Sequence, residues 1–418
     1  MSRRSARSIL TGTLVSTLCS LHASRLDCVG YSRGFSNGTW VDTLDAPPAE
    51  RRGLFGQRGA PVKLANATHG GVRWQWRPHD PRCALKRASL RGFCASFAAL
   101  NVSRVLLVGD SVQLYLYKSL VQLLETTARR DDGTVTAAGG HKGSFHASVI
   151  KCAAPAAARV ELMYARADTM AVGEATYEPG PSALRHDGAW TSKKLRRAER
   201  GGGAGRAKAP PPRAPTVSFD WVDVLAASEL AVVNWGAHYH NAKSYLRERD
   251  ELAARLDGAR ERARPNATVL WRTTASGHPN CTAAPAAPLS QREYDTLWER
   301  AVEVGDRSVV DFTWNLFGEF DELGRELWTP DGGGGAPWPR VVPFDVEPLT
   351  RHRADLHALD ELGKRLPSKA AAAARCAREQ GRACALHGAD CLHWSGPWMG
   401  FHLAQLMFNI LDAMGAVS

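Results

Sequence analysis

The chain has 418 residues, 44% of them hydrophobic, enough to bury the core of one large α/β domain or two modest ones. Its net charge is +11, yet residues 180–215 alone hold nine Lys/Arg against two acids, so +7 of that excess sits in one Gly/Pro-rich stretch. A nucleic-acid surface needs basic residues on folded elements with aromatics between them, and this distribution argues against nucleic acid as a partner.

In chain order, Arg3, Arg4 and Arg7 precede the uncharged stretch "SILTGTLVSTLCSLHA", the pattern of a signal peptide or signal anchor over residues 1–24. The run is short and rich in Ser and Thr for a helix that spans a bilayer. An uncleaved anchor would hold the protein at the membrane through its N-terminus; a cleaved one would release it. Residues 25–100 then read as a Cys/Trp-rich N-terminal subdomain, because Trp40, Trp74 and Trp76 are out of place in a disordered lead-in. Eight cysteines follow Cys19: Cys28, Cys83, Cys94, Cys152, Cys281, Cys376, Cys384 and Cys391. An even number without zinc-like spacing predicts disulfides and a secretory compartment, and no metal site. Sequons at Asn37, Asn66, Asn101, Asn266 and Asn280 agree, although Asn101 stands three residues before a predicted buried strand, which argues against its glycosylation.

Residues 101–418 carry the pattern of the main domain. Val105–Val108, Val160–Tyr164, Leu230–Asn234, Thr268–Arg272 and Ser308–Phe312 are apolar or β-branched runs bounded by turn residues, and predict buried strands. Helical patterns cover Val112–Thr126, Ala242–Arg264, Ser290–Val304 and Trp398–Met414, and the Ala-rich run at 368–378 suggests a short helix. Apolar strands separated by helices predict a parallel sheet covered on both faces, with its chemistry at the C-terminal strand ends. Two stretches read as insertions: a disordered basic loop at about 179–215 and the Gly-rich 331–339.

Four short segments carry candidate chemistry. In "VGDSVQ", Gly109-Asp110-Ser111 sits where a strand turns into a helix. Free N–H groups there suit an oxyanion and a nucleophilic serine, but Ser and Asp also cap ordinary helices. In "DCLHW", Asp390 and His393 are spaced so that a carboxylate can orient an imidazole base, although a bare D-x-x-H is also a common surface pair. Asn234 ends a strand and offers either an oxyanion donor or a turn-closing amide. His238 and His240 lack a third metal ligand, which leaves them a pocket-lining or structural role, His238 as the candidate for the pocket. "WRTTASGHPNC" offers Arg272, Thr273 and His278 to a polar sugar-binding cleft, with His278 a rival base, and Trp394 adds an aromatic wall.

The order of Ser, Asn and D-x-x-H resembles that of the SGNH/GDSL hydrolase superfamily. "RWQWRPHDPRCAL", "NVSRVLLVGDSVQ" and "DCLHWSGPWMGFHLAQLMFNIL" look like the PC-esterase group, which includes the plant trichome birefringence-like polysaccharide O-acetyltransferases. "NGTWV" and "RTTASGHPNC" fall where that group has similar segments, so the resemblance runs from about Cys28 to the C-terminus. It departs at Leu114-Tyr115, where plant members have Arg-Asn, and at Ser395-Gly396-Pro397, where they have Cys-Leu-Pro-Gly after the histidine.

The resemblance implies a flavodoxin-like three-layer α/β/α fold with a parallel sheet and a Ser111–His393–Asp390 triad, with Gly109 and Asn234 in the oxyanion hole. It implies transfer of an acyl group, from acetyl-CoA or another acyl donor as co-substrate, onto a polysaccharide or glycan hydroxyl in the Golgi lumen, with no tightly bound cofactor. A glycan O-acetyl esterase with the same triad, and a catalytically silent glycan-binding protein on the same fold, are the alternatives.

Overall fold

The computed structural model describes residues 27–29, 34–42, 74–128, 130–141, 145–153, 158–170, 174–177, 217–283, 287–328, 338–357, 391–394 and 398–416. The N-terminal targeting pattern, Asp390, Cys376, Cys384, the Ala-rich run, the basic insertion and most of 331–339 lie outside the described residues.

An antiparallel ribbon of β1 (Gly38–Asp42) and β2 (Trp74–Pro78) opens the described chain, with Cys28–Cys83 bridged beside it. Helix α1 (Leu90–Ala99) follows, capped by Ser89, whose hydroxyl accepts from the Gly92 N–H. Then come β3 (Arg104–Gly109), α2 (Ser111–Ala128), β4 (Thr134–His141), β5 (Phe145–Lys151) and β6 (Arg159–Arg166). A small pair of β7 (Glu174–Tyr177) and β8 (Val217–Asp220) leads to α3 (Trp221–Ala226) and β9 (Leu230–Val233). The remainder is α4 (Ala242–Arg260), β10 (Thr268–Arg272), α5 (Gln291–Glu303), α6 (Arg307–Val310), α7 (Phe317–Glu326), β11 (Arg340–Phe344), α8 (Glu347–Thr350) and α9 (Trp398–Gly415).

Seven strands form one sheet in the order β11-β10-β9-β3-β6-β5-β4. Five neighbours, β11 through β6, are parallel, and β5 runs antiparallel to both β6 and β4. The sheet is therefore mixed, not wholly parallel as the run-and-helix pattern predicts. The connections explain why: three residues join β4 to β5 and seven join β5 to β6, too few for the dozen or so of a parallel crossover. Val105, Leu106, Leu107 and Val108 are all fully buried, which requires cover on both faces of the central strand.

The predicted strand at 308–312 is a second difference. Residues Arg307–Val310 form helix α6 instead, capped by Asp306, which accepts from the Ser308 N–H, and Val310 and Phe312 stay exposed. A local cap outweighs the strand preference of the β-branched pair there. The fifth parallel strand is β11, whose "RVVPF" contains Pro343. Proline is tolerated because β11 is the edge of the sheet, where an N–H has no ladder partner to lose.

Every residue of α9 except Asp412 and Gly415 is buried, the signature of a helix inside the core. It packs along α1, where Phe93 and Phe408 meet at 5.2 Å, and against α2, where any Cβ at Gly400 would strike the Ser119 side chain. Its buried amides fasten the strand-like lead into α1: Gln405 Oε1 accepts from Ala88 N–H, and Asn409 accepts from and donates to the Lys86 backbone. Helix α1 thus belongs with the main core. The ribbon docks from outside, with Trp40 Nε1 donating to Leu349 O and the Ser36 hydroxyl to Asp345 O.

Among the described residues the disulfides Cys28–Cys83, Cys94–Cys152 and Cys281–Cys391 are those of a chain folded in an oxidising, secretory-type compartment. Among the described residues no helix is long and apolar enough to cross a membrane. The described sequon asparagines, Asn37, Asn101, Asn266 and Asn280, are all exposed. Asn101 is among them because it occupies a turn at φ 51° that ends before β3 goes inside.

Candidate active site

The C-terminal edge of the parallel strands brings the candidate residues together. Strand β3 ends at Gly109, whose φ of 155° is one that side chains with a Cβ avoid. A Cβ there would lie 2.8 Å from Asn234 O and 3.0 Å from Gln113 Cβ, so only glycine lets β3, β9 and α2 converge. Asp110 is buried, and its Oδ1 accepts from the Val112 and Gln113 N–H groups at 2.8 and 3.1 Å. Asp110 is therefore the cap of α2, and Ser111 is relieved of that role. The Ser111 N–H, in the first turn of α2, has no partner among the described residues.

The freed hydroxyl meets the other end of the chain. Ser111 Oγ lies 2.6 Å from His393 Nε2 across 282 residues of sequence. The segment that carries His393 is held at several points by groups from elsewhere. Cys391 is bridged to Cys281, its carbonyl accepts from the His278 N–H at 2.9 Å, and the His393 carbonyl lies 3.0 Å from His357 Nδ1. The Tyr115 ring sits 5.7 Å from the His393 ring. Asp390, the expected orienting carboxylate, lies outside the described residues.

Asn234 does not present its amide to Ser111. Its Nδ2 donates to Arg272 O at 2.9 Å and to Thr274 Oγ1 at 3.1 Å, which uses both hydrogens. Its Oδ1 accepts from Arg272 Nη2 at 2.7 Å. Arg272 is equally committed: fully buried, it donates from Nε to Gln113 Oε1 at 2.6 Å and from Nη1 to Thr273 O at 3.1 Å. Both residues lie beneath the site and brace it. A buried guanidinium needs this many partners, because an unpaired one carries a large desolvation cost. Burial lowers its pKa, opposed by the nearby carboxylates of Asp110 and Asp321.

The remaining candidates separate in the same way. His278 is fully buried, with Nε2 bonded to Arg351 O at 2.8 Å, and burial drives its pKa well below the usual range. It is a buried, neutral anchor for the His393 segment, with Nε2 committed to Arg351 O, and the rival role of base does not fit it. Trp394 is buried, its ring stacked at 6.0 Å on that of His357. Only His238 is at the surface: its Nε2 lies 3.7 Å from Asp168 Oδ1, beside the Arg166–Asp168 pair at the end of β6.

Two contributors, His357 and Asp321, escape a reading of the sequence. His357 fixes the His393 backbone without standing in a motif, and Tyr115, one of the departures from the plant pattern, flanks the His393 ring. Asp321 accepts from the Thr274 N–H at 2.9 and 2.8 Å and from its hydroxyl at 2.8 Å. Burial pushes the Asp321 carboxyl up to about 8, against the opposing pull of Thr274 and Arg272. Its only sequence signal is an acid on the apolar side of the amphipathic α7. Among the described residues no cluster of His, Cys, Asp or Glu is placed to hold a metal ion.

No model of a known protein family matches the chain, and no curated protein shows significant similarity to it.

Proposed function

We propose that the chain is a serine acyltransferase of the secretory pathway that moves an acyl group, an acetyl group first among candidates, onto a hydroxyl of a polysaccharide or glycan. The observation that carries the proposal is the 2.6 Å contact between Ser111 Oγ and His393 Nε2 at the first turn of a helix already capped by Asp110. A structural serine in that place would spend its hydroxyl on the helix end. The mixed α/β architecture with its chemistry at the C-terminal strand edge is compatible with the flavodoxin-like three-layer arrangement of SGNH-type enzymes.

In the proposed reaction Ser111 Oγ attacks the carbonyl carbon of the acyl donor while its proton passes to His393 Nε2. The oxyanion that forms is met by the Ser111 N–H at the positive end of α2. Collapse expels the donor's leaving group, which takes the proton from His393 and leaves an acyl-serine. A sugar hydroxyl then gives its proton to His393 and attacks the acyl carbon; the acyl–Oγ bond breaks, and His393 returns that proton to Ser111 Oγ. Asp390 takes the orienting role in this scheme, and Gly109, Asn234 and Arg272 hold the turn in place. Water in place of the sugar would make the same machinery an esterase.

The test is covalent labelling by a fluorophosphonate probe, followed by an acetyl-donor assay on a glycan panel read by mass spectrometry. Labelling on Ser111 with acetylated glycan as product is expected. Ser111→Ala should lower turnover about 10³-fold or more, the size of effect seen when a triad member is removed. Free acetate without glycan product would select the esterase, and an unlabelled Ser111 would select the silent binding protein.

A further inference from the structure

Beyond the Ser111–His393 contact, the same sheet edge holds a cavity of 780 Å³ at the ends of β10 and β11. Its floor is Thr273, Thr274 and Ser276 from the end of β10, with Asp345 and Glu347 from the end of β11. Strand β10 lies two places from β3, so the floor begins about 10 Å from the Ser111 turn at a strand spacing of about 4.8 Å. The segment that leaves this floor, Gly277 to Cys281, is the one that anchors the His393 loop.

The walls are aromatic. Trp314 lies flat against the backbone of Gly277, where a Cβ would come within 2.3 Å of its ring. Phe312, outside the lining, backs Trp314 at 6.2 Å and 26°. Trp298 and Tyr294 of α5, whose rings meet edge-on at 6.3 Å, line the same cavity together with Val302. Apolar rings beside a carboxylate-rich lining match a sugar ring: C–H groups meet the aromatic faces, and hydroxyls donate to the carboxylates.

The charge of the lining is one-sided. Glu299, Glu303, Glu322, Asp345 and Glu347 border the cavity, and among the described residues that line it the one basic side chain is Arg351, already paired with Glu347. This is the reverse of the molecule as a whole, which is basic by +11. A cleft lined by one sign of charge concentrates its field and raises the cost of placing a like charge inside.

We infer that this cavity is the acceptor subsite of the acyl transfer proposed above, built for a glycan segment without anionic groups and closed to uronate-bearing or sulfated chains. The inference rests on that proposed reaction for its role, but binding by itself does not depend on catalysis. The subsite holds the sugar against Trp314, Trp298 and Tyr294, with its hydroxyls toward the carboxylates of Glu299, Glu303 and Glu322, one or two sugar units from the hydroxyl presented to Ser111.

Calorimetry with the Ser111→Ala protein tests this, using neutral gluco-, xylo- and manno-hexaoses against an oligogalacturonate hexamer of equal length. At least one neutral hexaose should bind about tenfold or more tightly than the galacturonate at low salt, and the gap should narrow as salt screens the field. Trp314→Ala should weaken neutral binding. Glu303→Lys, an exposed rim change that leaves the core untouched, should raise galacturonate affinity while circular dichroism stays native. Equal or tighter binding of the galacturonate, no binding of any neutral hexaose, or no response to Glu303→Lys would each overturn the inference. Fluorophosphonate labelling of the unsubstituted protein reads Ser111 alone, so a failed acyl-transfer reading and a failed subsite give different results.

Discussion

Asp110 and Ser111 divide between them two tasks that one residue often performs. Asp110 satisfies the N–H groups of Val112 and Gln113, so the Ser111 hydroxyl is available to His393 and its N–H to a developing oxyanion. Asp110→Ala should therefore cost about 1 kcal/mol more stability than Asp110→Asn, which keeps the cap, as read by urea melts. The alanine variant should also label more slowly at Ser111, whose hydroxyl becomes the only side chain left to cap the helix. Asp321 gives a residue-scale prediction of another kind. Its carboxyl is raised from 3.8 to about 8 in the fold, so the folded state holds a proton that the unfolded chain releases. The stability it contributes is complete below pH 3.8 and is lost as pH rises through about 8. Relative to Asp321→Asn, the unsubstituted protein should lose about 1.4 kcal/mol per pH unit within that window, measured by urea melts at a series of pH values. Equal slopes for the two proteins would show that the carboxyl is ionised in the fold.

At the scale of elements, the His393 segment has little regular structure of its own and is held from outside. The Cys281–Cys391 bridge spans 110 residues and joins it to the end of the β10 segment, while His278 and His357 bind its backbone. Replacing both cysteines by alanine should lower stability by about 2–4 kcal/mol. Activity should fall further than stability alone explains, because the 2.6 Å contact of His393 with Ser111 depends on where that segment is pinned. The check is kcat/KM and labelling rate at a temperature where both proteins are fully folded by circular dichroism; unchanged rates would mean that His278 and His357 suffice. The sheet shows the same dependence on surroundings. Residues 308–312 have strand-like composition but lie on the surface as a capped helix, while the Pro-containing β11 takes the edge position beside β10.

Across the whole molecule, the N-terminal ribbon and the C-terminal helix close on each other. Trp40 is packed at 4.7 Å against His402 of α9, and the guanidinium of Arg353 lies 4.4 Å over its ring. Arg353 is fully buried and paired with Asp355, so the ribbon covers a charge pair that water would otherwise reach. Trp40→Ala should cost about 3–5 kcal/mol, the range for emptying a buried tryptophan site, and a two-state denaturant melt measures it. A loss well under 1 kcal/mol would mean that the ribbon is an appendage and not part of the fold. The disulfides act at this scale too: Cys94–Cys152 ties α1 to the end of β5, so this bridge and Cys281–Cys391 both reach into the main sheet region.

The sequence by itself determined the elements whose signals are local. Strand β10 matches its predicted bounds because "TVLWR" is a continuous apolar run between turns, and α9 follows from an apolar pattern too long for a strand. The Gly109-Asp110-Ser111 turn was legible too, since glycine, cap and helix start are neighbours in sequence. Only the tertiary structure decided what each candidate side chain does. Ser111 and His393 are 282 residues apart, and no local pattern states that they meet. Asn234, Arg272 and His278 sit at the strand ends as expected, but whether a polar side chain faces a cleft or braces one depends on which partners burial brings to it. A motif lists donors and acceptors; packing determines which of them are left over for a substrate.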